Sequence, residues 1–373
     1  MVNRVRVSDY ISHKLSEYGI KRVYGIMGGG AASLNDGFIK NPDIDYICFH
    51  HEQGASNAAL AESKLKNDIA IVNPTTGCGG ANCITTLISA YQDSIPLIFI
   101  SGNYRLNQTT NFLNKNLNIK LRKIGLQEHD IISHVKGATK YSSFITEANQ
   151  VPYELEKMIH LSMEGRKGPC WLDIPSDIQN QIIDIDLCTK YIPEINSNNQ
   201  IVNNIELFKT KLEASQKPLI LAGYGIHLSN SQNKFRTYID KHSVPFVSTF
   251  LAKDIIEYNH PLNIGTIGIK GSRSGNYAMQ KCDLLLILGS SLNVSHIGYD
   301  ENLFSPNSEK ILVNIDENDY LKNNVKIDLF FKNDIGDFLD NVIWETIMGQ
   351  SMPRMEKQVA YLSGCVFRWL GWN

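Results

Sequence analysis

At 373 residues, 43% of them hydrophobic, the chain is long enough for two domains of roughly 100–200 residues, each with its own core. Its 36 basic and 38 acidic residues give a net charge of −2 with the signs interspersed, which excludes a general nucleic-acid binder that needs a basic excess against phosphate. No stretch approaches about 18 consecutive apolar residues, and Met1 to Val5 open no apolar run, so the expectation is a soluble, cytoplasmic protein without membrane span or signal peptide.

In chain order, Ser8-Asp9 reads as the cap of a helix carrying Tyr10, Ile11, Leu15 and Tyr18 and ended by Gly19. A short strand over 21–26 enters the turn Met27-Gly28-Gly29-Gly30, and a helix follows over 31–39. A strand over 44–49 leads straight into Glu52, which opens a helix of small residues (Ala55, Ser56, Ala58, Ala59, Ala61) to about residue 66. The buried strand 69–73 precedes a glycine-rich loop, 74–80, and a helix over 81–91. Another strand spans 95–101. This alternation of near-continuous apolar strands, loops and helices predicts a parallel sheet covered on both faces.

Residues 103–121 are rich in Asn, Thr and Lys and read as a long loop. A helix is expected over 152–164 and a strand over 168–175. The crowded Asn and Ser residues before Asn204 mark a linker, 186–204. A second α/β unit follows over 205–343, with strands at 218–222, 245–249, 284–289 and 311–315. The tail, 344–373, is too short for a further layer. The fold class is α/β, two doubly wound parallel-sheet domains in tandem. The seven cysteines form no CxxC pair, and reduced, mostly buried thiols are expected.

Glu52 is the chief chemical candidate. On charge alone it is an ordinary first-turn acid, stabilised by the helix dipole by about 0.3–1 kcal/mol. Its company points further: His50 and His51 before it, Gln53-Gly54 after it, and the Thr75–Gly80 loop one βα unit later. If the strand persists to His50 and His51, one of them faces a site and the other the core. The Thr75–Gly80 loop lacks the Lys-Ser/Thr of a P-loop. Neither 27–30 nor Gly223-Tyr224-Gly225 completes a dinucleotide fingerprint. Gln127 reads as a ligand-facing amide or a surface residue, and Lys140 as an anion contact or a solvated lysine.

Taken in order, several motifs resemble acetolactate synthase-like thiamine diphosphate enzymes over residues 3–340. They are Val23-Tyr24-Gly25-Ile26, Gly28-Gly29-Gly30, His51-Glu52-Gln53-Gly54-Ala55, Thr76-Gly77-Cys78-Gly79-Gly80-Ala81-Asn82 and Asp93-Ser94-Ile95-Pro96. Gly125-Leu126-Gln127-Glu128, Thr139-Lys140 and the stretch from Gly168 to Pro175 continue the series. The resemblance implies a pyrimidine-binding domain over 1–185 and a central domain over 205–343.

In that family the glutamate matching Glu52 hydrogen-bonds N1′ of the cofactor's aminopyrimidine and activates the ring. Gly28, Gly29, Thr76, Gly77, Gly79 and Asn82 would line the cofactor, with Gln127 near the substrate and Lys140 further out. Burial of Glu52 is expected, because its carboxyl must share a proton with a weakly basic nitrogen. The implied reaction is decarboxylation or carboligation of pyruvate or another 2-oxo acid. Thiamine diphosphate and Mg2+ are the implied cofactors, and FAD a further one in the central domain. A homodimer or higher homo-oligomer is implied.

Two minor departures are Cys78, where the family usually has proline, and Met27, which replaces a commoner residue. The larger one is that no Gly-Asp-Gly, the mark of the Mg2+- and diphosphate-binding domain, occurs in the chain. Three readings follow: one half of a split enzyme completed by a diphosphate-binding domain or subunit in trans, a piece ending at a domain boundary, or a non-catalytic truncated remnant acting as a binding or scaffold protein.

Overall fold

The computed structural model describes residues 4–194 and 204–348, with side chains up to Val342. Linker residues 195–203, Cys365 and the rest of the tail beyond Met348 lie outside the described residues. The chain divides into two compact units near residue 195.

The strands of the first unit are β1 (Arg4–Arg6), β2 (Arg22–Gly25), β3 (Asp45–Cys48), β4 (Ala70–Asn73), β5 (Leu97–Asn103), β6 (Tyr141–Phe144), β7 (Cys170–Pro175) and β8 (Ile182–Asp184). Six of them form one sheet in the order β3-β2-β4-β5-β7-β6, every neighbour parallel. β1 and β8 pair antiparallel in a separate ribbon. Alternation along the central strands divides the core. Ile98, Ile100, Leu172 and Ile174 join the helices Val7–Glu17 and Val151–Met163 in one cluster. The intervening Phe99 and Trp171 stack on the opposite face, ring centroids 4.5 Å apart. A strand buried on both faces must be apolar at every position, which is why these strands read as continuous runs.

The second unit contributes β9 (Pro218–Ala222), β10 (Phe246–Ser248), β11 (Asn263–Thr266), β12 (Leu284–Leu288), β13 (Glu309–Asn314) and β14 (Leu329–Lys332). Their order is β11-β10-β9-β12-β13-β14, again all parallel. Ile220, Leu286 and Val313 pack on one side, and Leu221, Leu285 and Leu312 on the other.

Parallel strands place all their carboxy ends along one edge of the sheet. In the first unit the chain runs outward in one direction from β2 to β3 and in the other from β4 to β5. The strand order therefore reverses between β2 and β4, where a crevice opens at the carboxy edge. The second unit reverses between β9 and β12.

Two local expectations change. Residues 103–121 are not a plain loop: Thr109 caps a helix, Thr110–Leu117, its hydroxyl accepting from Phe112 N at 3.3 Å. The glycine-rich loop is also shorter than expected, because Cys78–Ala81 already forms a helical turn.

Candidate functional site

Three turns meet at the carboxy edge of the first sheet, following β2, β3 and β4. Beneath them lies a buried polar network. Asn35 Nδ2 donates to Asn73 Oδ1 at 2.6 Å and to Tyr46 Oη at 2.8 Å, and Asn73 Nδ2 donates to Ile100 O at 2.7 Å. Gly28 N donates to Asn35 Oδ1 at 3.4 Å, tying the Gly28 turn to the network. No role was read for this network from the sequence; its one signal is Asn73, a polar residue closing a buried apolar strand.

The Gly28 turn packs closely on the turn after β4. A Cβ on Gly28 would lie 2.3 Å from Thr75 Oγ1, and one on Gly30 only 1.7 Å from Thr76 Oγ1. Gly28 is thus demanded by its protein neighbour, whereas a Cβ on Gly29 would enter open space. Thr76 Oγ1 is buried without a hydrogen-bond partner, a polar atom in the crevice that a ligand can satisfy.

Glu52 is the first residue of the helix Glu52–Lys66. The strand does not persist to the two histidines: β3 ends at Cys48, and His50 and His51 are both exposed. Neither faces the core. His51 is instead the helix cap, its Nδ1 accepting from Gln53 N at 3.1 Å.

The Glu52 carboxylate reaches across to the β4 turn. Asn82 Nδ2 donates to Glu52 Oε2 at 2.9 Å. Oε1 lies 3.1 Å from the position a Cβ on Gly79 would take, so the missing side chain at Gly79 lets the turn pack directly against that oxygen. Glu52 is half-buried rather than buried, so the residues of this unit alone do not supply the burial expected of it.

Gly77, at φ +54°, is held by contact: a Cβ there would sit 1.6 Å from Gln127 O. This brings Gln127 against the glycine turn through its backbone, itself left-handed at φ 68°, while the residue as a whole is exposed. Next to it Glu128 is buried. Its Oε1 accepts from Thr110 N at 2.9 Å and Thr110 Oγ1 at 3.0 Å, clamping the start of the helix Thr110–Leu117, and its Oε2 is unpartnered.

Asp173, fully buried in β7, accepts from Ser101 Oγ at 2.6 Å and Asn103 Nδ2 at 2.8 Å. Burial pushes its carboxyl up to about 7, against these two bonds. An acid inside the apolar run Trp171-Leu172-Asp173-Ile174 was the sequence signal for it.

Lys140 is not brought to this group. It precedes β6, whose first residue pairs with the first residue of β7, so it lies at the opposite edge of the sheet. Parallel strands of this length separate the two edges by roughly 13–20 Å. Its ammonium donates to Glu164 O at 2.6 Å. Of the other candidates, Gly79 and Asn82 touch Glu52, Gly28 packs on Thr75 as Gly79 does, Thr76 meets Gly30, and Gln127 reaches Gly77 through its backbone.

Comparison with known proteins places this crevice in context. Residues 5–131 match the family model "Thiamine pyrophosphate enzyme, N-terminal TPP binding domain", and residues 205–342 match "Thiamine pyrophosphate enzyme, central domain". The acetolactate synthase large subunit of Lactococcus lactis subsp. lactis is 29% identical over 285 residues, 76% of this chain and 48% of that protein. The acetolactate synthase isozyme 1 large subunit of Escherichia coli K12 is 28% identical over 309 residues, 83% and 52% respectively. A probable acetolactate synthase large subunit of Methanocaldococcus jannaschii is 26% identical over 348 residues, 90% and 55%. The chain spans about half the length of these relatives.

Proposed function

This chain belongs to the acetolactate synthase-like thiamine pyrophosphate enzymes, and from that premise we propose that its first unit holds the aminopyrimidine of thiamine diphosphate against Glu52. The reaction is the decarboxylation or carboligation of pyruvate or another 2-oxo acid. The observation that carries the reading is the half-buried Glu52 carboxyl at the switch point of the sheet, held at Oε2 by Asn82 of the glycine turn.

The residues fit the group. Glu52 is half-buried with Asn82 on one of its two carboxyl oxygens, the Thr76 hydroxyl is buried and unpartnered, and a Cβ on Gly29 would enter open space. When bound, thiamine diphosphate supplies the electron sink for bond-breaking next to the keto carbon. The chain's own part is positional and acid–base: Glu52 holds or shares one proton at Oε1, and Gln127 stands at the rim on the substrate side.

We assign the diphosphate and Mg2+ to a diphosphate-binding domain outside residues 1–373, which hold no Gly-Asp-Gly. A second protein surface over the crevice is supported by the half-burial of Glu52. It is supported also by the exposed apolar residues Leu117, Ile119, Leu121, Ile124 and Leu126 in the segment leading to Gln127. A homodimer or higher homo-oligomer would provide such cover.

FAD is given no step. The glycines of the second unit's crevice are consumed by each other: a Cβ on Gly223 would lie 2.3 Å from Gly289 O. Among the described residues no helix is long and apolar enough to cross a membrane. The buried free thiols Cys83, Cys170 and Cys282 fit a reducing compartment, which supports a cytoplasmic location.

The test is pyruvate consumption by the chain supplied with a diphosphate-binding domain, thiamine diphosphate and Mg2+. Turnover lost in Glu52→Gln is the expected result, and unchanged turnover in that variant would sink the assignment.

A further inference from the structure

We propose that Asn82 is the positioning residue that divides the work of the Glu52 carboxyl group, occupying Oε2 so that the working proton resides on Oε1. The inference rests on the cofactor reading above and deepens it.

The geometry begins with the side-chain hydrogen bond between the two turns, Asn82 Nδ2 to Glu52 Oε2 at 2.9 Å, which joins residues 30 positions apart. Asn82 is itself held by the glycine turn. Ala81 N donates to Gly77 O at 2.8 Å, Asn82 N to Cys78 O at 3.1 Å, and Cys83 N to Gly80 O at 3.0 Å. The next side chain, Cys83, is fully buried, with its Sγ 3.8 Å from both Glu52 O and Gly79 O. One short turn therefore touches the Glu52 residue in three ways: at its backbone through Cys83, at Oε2 through Asn82, and beside Oε1 through the absent side chain of Gly79.

The choice of an amide has a chemical consequence. Among the described residues Glu52 has no ion-pair partner, and its one side-chain donor is neutral. A lysine or arginine at Oε2 would hold the carboxylate ionised. An amide N–H orients the group without adding a full charge, so the acid can still take up a proton. That N–H is accepted better by a carbonyl oxygen than by a hydroxyl oxygen, which favours Oε2 as the carbonyl of a protonated Glu52. The proton is thereby directed to Oε1, the oxygen against Gly79. A freely rotating carboxyl would place the proton on the wrong oxygen half of the time.

Two measurements test this. The first needs no cofactor: the side-chain amide resonances of Asn82 are followed in the 15N-labelled full chain and assigned by their loss in Asn82→Ser. The expected result is a displaced amide pair in the wild type that moves when Glu52 becomes Gln. An amide pair indifferent to Glu52→Gln overturns the inference.

The second is a double-mutant cycle on binding of thiamine diphosphate with Mg2+, read by calorimetry with the diphosphate-binding domain supplied. Asn82→Ser is expected to weaken binding about threefold to tenfold when Glu52 is present and less than twofold in Glu52→Gln. Asn82→Asp, which sets a second carboxylate against the first, should weaken it more than Asn82→Ser. Equal losses in both backgrounds would reduce Asn82 to a fold-supporting residue and overturn the inference, leaving the role of Glu52 standing. If Glu52→Gln itself leaves cofactor binding unchanged, the cofactor reading falls whatever the resonances show, and the inference falls with it.

Discussion

Each unit has a six-stranded parallel sheet with one central reversal of strand order, although the orders differ, and the two reversals use glycine differently. In the first, Gly28 and Gly79 let the turns close on Thr75, Gly29 faces open space, and a carboxylate reaches in from the helix after β3. In the second, the reversal between β9 and β12 is filled by the chain itself. Gly225 N donates to Gly289 O at 2.9 Å, and Gly223 N to Leu288 O at 2.8 Å. A parallel sheet supplies the crevice in both units, but its occupant depends on whether the turns lean on each other or stand apart around a polar group. Glycine content alone does not distinguish these cases. What a Cβ would strike does.

The strongest way to break this contrast is to remove the group that distinguishes the first crevice. Glu52→Gln keeps the size and the capacity to accept from Asn82 but removes the exchangeable acid proton. Turnover of the completed enzyme should fall by about two to four orders of magnitude, as for loss of a general acid–base group. Pyruvate consumption under saturating cofactor measures it. A loss recovered by raising the cofactor concentration would instead make Glu52 a binding group only.

Glycine replacements sharpen the same contrast through stability. Gly77→Ala drives a Cβ into Gln127 O at a positive φ, and Gly223→Ala drives one into Gly289 O. Both meet backbone, which cannot step aside, so each should cost about 2–4 kcal/mol. For a unit of this size that is a drop of roughly 5–15 °C in melting temperature. Gly79→Ala behaves differently. Its Cβ meets side-chain atoms, Thr75 Cγ2 at 2.8 Å and Glu52 Oε1 at 3.1 Å. Calorimetric scans should show a much smaller loss of stability for Gly79→Ala, while cofactor titration shows the larger effect.

The strands visible from sequence are those buried on both faces: β9 was expected over 218–222 and spans those residues, and β4 and β12 differ by one residue at one end. Three strands of the large sheets were not anticipated, β6, β11 and β14, and all three lie at sheet edges. An edge strand covered on one side needs no apolar run. Tyr141-Ser142-Ser143-Phe144 and Asn263-Ile264-Gly265-Thr266 are half-buried throughout. The ribbon of β1 and β8 joins residues nearly 180 positions apart with three residues on each side, too short for any period to show. At the site, motif order located the turns around Glu52, but not the capping role of His51 or the turning of Asn82 onto the carboxylate. Those depend on where a strand stops and how a turn folds. Lys140, carried over with the Thr139-Lys140 motif, lies at the amino edge of the sheet, because a motif match does not say which end of a strand its residues occupy.

The units should also part in their response to pH. Asp173, pushed up to about 7 by burial, keeps a proton in the folded first unit that the unfolded chain releases from about pH 4 upward. The stability it contributes is full below the ordinary carboxylate range and is lost as pH rises through about 7. His242 in the second unit is pushed down to about 4, first by burial and then by Lys241. Its contribution is present above about pH 6.5 and is lost as pH falls toward 4. Hydrogen exchange followed by mass spectrometry reads both units in one full-length sample. Protection should weaken with rising pH around β7 and with falling pH in the helix Gln232–His242. Asp173→Asn should flatten the first trend alone, and His242→Gln the second alone.

The smallest expected effect concerns how the two units start their helices. Ser272 Oγ accepts from Gly275 N at 3.0 Å at the head of Arg273–Lys281, and His51 Nδ1 accepts from Gln53 N at the head of the Glu52 helix. Ser272→Ala should cost about 1 kcal/mol at any pH, the usual value of a serine cap. His51→Ala removes a cap of the same kind and should cost no more than that, while His51→Asp, which caps as an anion facing the helix dipole, should retain the helix. Urea midpoints measure all three variants. The informative case is His51→Ala near neutral pH. A small loss of stability with unchanged cofactor affinity makes His51 a cap like Ser272. A fall in affinity larger than the fall in stability means that the start of this helix aims the Glu52 carboxyl, a task that the second unit asks of none of its caps.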